Sequence, residues 1–195
     1  STKHITYCTS GMYCNALVTA GLSDAKVTVV GPFDISGTSA LVGAMKAYSV
    51  MTGEEISEKT MDTATDELVT TAEVAKNVGD KQKVTELVAA AKKAVFEDQL
   101  SSETDIRDAI EQAANELSID ISDDDVEKLT NMMMKVSKED IDPGTIAKQA
   151  SDIYNKLKEK GIDLANVDTK GLGEKIGDFF GNIFTAIANF FSGLF

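Results

Sequence analysis

The residues Phe179–Phe195 hold six of the chain's eight phenylalanines and no charged side chain. Advancing 100° per residue, the α-helical step, puts Asp178, Asn182, Thr185, Asn189 and Ser192 in one narrow arc. Ile176, Phe179, Phe180, Ile183, Phe184, Ile187, Phe190, Phe191, Leu194 and Phe195 fall on the opposite side. A stripe of this kind is rarely left in water, because large exposed apolar patches mark contact sites. Burying ten such side chains is worth on the order of 15–30 kcal/mol as an upper bound, before ordering costs. The tail is therefore expected to dock on the chain's own body, on another protein, on a like subunit or on a membrane surface. A membrane span is disfavoured, because about 20 apolar residues are needed and the polar stripe would face lipid. An interfacial helix suits the geometry but lacks the usual Lys/Arg rim. A helix lying in a groove also suits it. Gly177, Gly181 and Ala188 beside the polar stripe permit close helix approach, which favours protein contact over lipid.

The remaining 178 or so residues carry the charge. The chain has 195 residues, enough for one domain or two small ones. Its net charge is −13 and its pI about 4.5. Nucleic-acid binding needs Lys and Arg to displace phosphate counterions, and no basic cluster is present, so no nucleic-acid partner is expected. Attraction to anionic lipid is disfavoured for the same reason. The chain begins at Ser1 without a Met or a signal peptide, which reads as a processed form or a fragment.

Along the chain, His4–Cys8 and Ala25–Val30 read as strands on β-branched content and alternation. Residues 10–20 read as a helix with Ser10 as N-cap and Gly21 past its end. The turn 34–38 leads into a helix running to about Val50, with Leu41, Met45 and Tyr48 inward. Helical periodicity then covers about 54–78, 80–98, 102–117 and 123–136, and another helix opens at Asp142-Pro143-Gly144 and stops at Gly161. The fold class expected is α+β. An α/β head spans 1–52, an acidic helical region 53–161, a linker 162–173 and the amphipathic Phe-rich helix 174–195.

Few residues suggest chemistry. His4 is the single histidine, so no Ser/His/Asp set is credible and an enzyme is not expected. Cys8 and Cys14 have neither zinc nor C-x-x-C spacing. They read as two small buried residues or as a short disulfide joining a strand end to the next helix. The run Asp120–Glu127 lacks the alternating ligands and central Gly of a calcium loop. Ser122 as N-cap with acids at the positive end of the helix dipole accounts for it, and Ser102 with Glu103 and Asp105 is the same device. The turn Gly31–Gly43 lacks the Gly-Lys-Ser/Thr of a phosphate loop and reads as a tight turn, with Gly37 taking an unusual backbone angle. At least two of Met132, Met133 and Met134 are expected in the core. No cofactor or metal is called for.

Asn15–Gly21, Asp24–Val27, Pro32–Leu41 and Gly43–Tyr48 together resemble the YpuA-like family of secreted bacterial proteins, known as domain of unknown function 1002. The match is specific over residues 4–50 and looser through Glu67-Leu68-Val69 and Ser118–Asp123. The resemblance implies an extracytoplasmic protein, mostly from Gram-positive bacteria, delivered by a signal peptide, with no established activity and hence no catalytic residues to carry over. Family members have a further N-terminal region with a strand leading into His4–Cys8. Its loss would leave an open sheet edge, which invites a strand from another chain. The function expected is that of a non-enzymatic surface or secreted interaction protein. Its alternatives are a hydrolase or ligand-binding domain acting on the envelope, a self-assembling surface or filament subunit, and a binder of host proteins.

Overall fold

A computed structural model describes residues 4–22 and 25–139, together with Ile146, Lys148 and Asp152. Among these residues it contains six helices and no strand. They are α1 (Ser10–Thr19), α2 (Thr38–Thr52), α3 (Glu58–Val78), α4 (Lys81–Glu97), α5 (Glu103–Glu116) and α6 (Asp123–Val136). Five begin at a side-chain cap: Thr9, Ser57, Asp80, Ser102 and Ser122 each accept a hydrogen bond from the backbone N–H three residues on, at 2.9–3.3 Å. Each such cap contributes about 1 kcal/mol. The cap of α1 is Thr9 rather than Ser10. The acidic run at Asp123, Asp124 and Asp125 lies in the first turn of α6, and Glu103 and Asp105 in that of α5.

The helices share one apolar cluster that runs from Cys8 to Ile146. α3 lies at its centre and packs against α1, α2, α4 and α6, while α5 closes the layer between α4 and α6. Leu68, Val84, Leu87, Ile106, Ile110, Leu129 and Val136 are sealed from solvent. Met132 and Met133 are buried and Met134 half-buried.

The α+β expectation is overturned, and the head over 1–52 contains no sheet among the described residues. His4–Cys8 meets the chain at a single parallel bridge, Ile5 to Ile35. Three backbone bonds hold it: Thr6 N to Ile35 O at 2.9 Å, Ile35 N to His4 O at 2.9 Å and Cys8 N to Ser36 O at 3.2 Å. Residues 25–30 pair with nothing described. β-branched residues bias the backbone toward extension, but a sheet also needs a neighbour to take each N–H and C=O. Among the described residues none takes that place beside residues 25–30. The helix expected from Asp142 is described at Ile146, Lys148 and Asp152, all helical. The linker 162–173 and the Phe-rich segment 174–195 lie outside the described residues.

Candidate functional site

A buried polar constellation sits where α1, α3 and α4 meet. Lys92 of α4 has no exposed surface, nor has Glu67 of α3. Lys92 Nζ donates to Glu67 Oε1 at 2.7 Å and Oε2 at 2.9 Å, to the Asn15 main-chain oxygen at 2.7 Å and to Thr19 Oγ1 at 2.7 Å. The Thr19 hydroxyl donates in turn to Glu67 Oε2. Asn15 Nδ2 donates to the Thr85 carbonyl at 3.1 Å, and Asn15 Oδ1 is buried without a hydrogen-bond partner among the described residues. Burial lowers the Lys92 pKa, and the Glu67 carboxylate pulls it back up. A buried charge stays ionised only when paired and fully hydrogen-bonded. With no atom facing solvent, the pair fixes which turn of α1 faces α3 and α4. Both residues fall on stripes that the sequence already shows: Lys92 lies four past Val88 and three before Val95, and Glu67 lies three past Ala64 and four before Thr71. A charge on such a stripe is the signal that would have found them.

A second junction links the N-terminal segment to α2. The Tyr13 hydroxyl on α1 donates to the Gly37 carbonyl at 2.5 Å. Gly37 has φ +91°, and a Cβ there would meet both the Tyr13 hydroxyl and Ile5 Cγ2. Burial raises the Tyr13 pKa, reinforced by Cys8. Cys8, 2% exposed, is pushed up to about 11 by burial, against the opposing hydrogen bond from Tyr13 and the nearby Lys81 ammonium. Cys14 is exposed, and both residues are thiols in this structure rather than a disulfide.

His4 lies 2.9 Å from Asp34, with the two side chains 39% and 73% exposed. That pair is solvated at the bridge between the N-terminal segment and the turn before α2. At the other end of the bundle, Glu139 accepts from the Thr60 and Thr63 hydroxyls at 2.8 and 2.9 Å and pairs with Lys59 at 3.2 Å. Burial raises its carboxyl, but these bonds outweigh it and hold the pKa below the ordinary value. No group of three or more His, Cys, Asp or Glu is arranged to hold a metal among the described residues. No helix among them is long and apolar enough to cross a membrane. The ten residues of the Phe-rich stripe, Ile176 to Phe195, lie outside the described residues.

These features define an all-α body held in register by a buried ion pair. The chain belongs to the family described as "Protein of unknown function (DUF1002)", whose model matches residues 1–153. It is 37% identical over 192 residues to a protein of Bacillus subtilis (strain 168) named "Uncharacterized protein YpuA", a match covering 97% of this chain and 64% of that protein. The chain thus spans less than two thirds of that relative's length. No solved structure matches it.

Proposed function

We propose that this is a non-enzymatic extracytoplasmic bacterial protein that works by contact, its helical body presenting the Phe-rich C-terminal segment to a protein partner, a like subunit or the membrane surface. The observation that carries the reading is the sequence pattern of Ile176–Phe195: ten apolar residues on one helical arc, opposite a polar stripe, in a chain of net charge −13. The apolar core of the described helices supports it, since thirty-odd buried residues from Cys8 to Ile146 fill that core. The localisation rests on the family resemblance. The hydrolase alternative draws little support from His4 and Asp34, which are open to solvent.

The test compares the full chain with one ending after Lys170, and with the full-length double variant Phe184→Asp/Phe191→Asp, by light scattering with and without zwitterionic vesicles. A docking tail makes the full chain oligomerise or bind vesicles, while both altered chains stay folded and do neither. If the altered chains unfold and the parent neither associates nor binds lipid, the stripe belongs to the chain's own core and the proposal fails.

A further inference from the structure

The segment Ala25–Val30, Ala-Lys-Val-Thr-Val-Val, has a strand's composition and a strand's burial pattern without a strand's partners. Ala25, Lys26, Thr28 and Val30 are exposed, whereas Val27 and Val29 are half-buried against the core. That period-two alternation is how a pleated strand lies on a surface. Yet no backbone N–H or C=O from Ala25 to Val30 takes part in a hydrogen bond among the described residues. The contrast with the neighbouring bridge, where Thr6, Ile35 and Cys8 all bond through their backbones, is sharp. An unpaired row of donors and acceptors is a template for another extended chain.

We propose that this segment pairs antiparallel, edge to edge, with the same segment of a second copy of this chain, across a two-fold axis through Thr28. The sequence is self-complementary in that register. Thr28 faces its twin, a favourable cross-strand pair, and Val27 faces the partner's Val29 on the core side, where β-branched pairs add to pairing. Lys26 faces the partner's Val30, so the two lysines stand at opposite ends. An axis through Lys26 would set like charges against each other. An axis between two residues would put the core-facing valines opposite outward-facing residues, which the pleat forbids. A two-fold contact of one patch with itself is the commonest way soluble chains dimerise. The acidic bodies repel, but charges beyond roughly 8 Å are screened at physiological salt, so added salt strengthens the pairing. This interface uses different residues from the Phe-rich segment and stands independently of the function proposed above.

Register-specific cross-linking of the full chain tests it, with exposed Cys14 replaced by Ser. Thr28→Cys should form a covalent dimer under mild oxidation, because facing residues of an antiparallel pair have Cα separations that a disulfide spans. Lys26→Cys and Val30→Cys chains should each stay unlinked alone and link when mixed. Light scattering should give twice the chain mass for the parent and for Phe184→Asp/Phe191→Asp, and the single-chain mass for Thr28→Lys, which sets a lysine opposite its twin. Thr28 is exposed and makes no hydrogen bond among the described residues, so that variant keeps its fold, as circular dichroism should confirm. A parent that stays monomeric, with Thr28→Cys linking no faster than Val30→Cys alone, overturns the proposal. So does a dimer that survives Thr28→Lys. A dimer lost only in the Phe184→Asp/Phe191→Asp variant assigns self-association to the C-terminal segment instead and leaves the function proposed above standing.

Discussion

Replacing Glu67 by Ala removes both oxygens that hold Lys92 Nζ, at 2.7 and 2.9 Å, and leaves the amine only the Asn15 carbonyl and the Thr19 hydroxyl. Breaking a buried pair from one side costs about 3–5 kcal/mol. A second route gives a matching ceiling: the amine can shed its proton inside the protein. With an unfolded pKa of ~10.4 and ~1.36 kcal/mol per pH unit, that costs about 4.6 kcal/mol at pH 7 and about 1.9 kcal/mol at pH 9. The sign follows from linkage. Burial lowers the Lys92 pKa. A base so lowered weighs against folding below its folded pKa, and that weight fades as pH rises toward the unfolded value. Removing Glu67 deepens the lowering and widens the window. The variant should therefore lose about 3–5 kcal/mol at pH 7 and regain up to about 2.7 kcal/mol between pH 7 and 9, a steeper recovery than the parent's. Urea unfolding followed by far-ultraviolet circular dichroism at both pH values reads this directly. Replacing both partners by apolar residues of similar volume, Glu67→Leu with Lys92→Met, should restore most of the loss, because the uncompensated charge is gone. A loss under about 1 kcal/mol at pH 7 for Glu67→Ala, or equal pH slopes in variant and parent, would refute the reasoning.

Two further expectations concern the Tyr13 junction. Gly37→Ala should destabilise the chain by about 2 kcal/mol or more, from the left-handed backbone and the overlap with Ile5 and Tyr13, and thermal unfolding should show it; an unchanged midpoint would contradict the local geometry. In thiol titration of the native chain, Cys14 should react at once and Cys8 only after unfolding, since the thiolate is the reactive form and Cys8 holds its proton up to about 11. The stability gained from keeping that proton is present below the ordinary value of 9.0 and fades as pH rises toward 11; equal native reactivity, or none, would contradict the placement.

Much of the helical body could be read from its residues because the signals there are local. Ser102 and Ser122 announce α5 and α6, and the apolar spacing of Val84, Leu87, Val88, Ala91 and Val95 announces α4. Those choices depend on neighbours within a turn. The strands failed for the opposite reason. Ala25–Val30 alternates as expected, but whether a sheet forms depends on what lies beside it, and no pattern within six residues carries that. The helix expected from about 54 begins at Glu58, because residues 57–66 offer few large apolar side chains to mark its start; of these Thr63 and Ala64 are buried. Glu67 and Lys92 carry no motif that marks them, because charged residues ordinarily lie on solvated faces, although both sit on apolar stripes.

Ile146 is fully buried, seven residues beyond Glu139, and joins the same apolar cluster as Cys8 and Leu68. It works as a rivet: the chain is fastened to the body at a point well before the phenylalanines begin. On the function proposed above, the segment beyond Lys170 is then a cassette, open to exchange by recombination because the junction falls after the rivet. A chimera that grafts an unrelated segment after Lys170 should keep the parent's unfolding midpoint, while Ile146→Asp should lower it sharply.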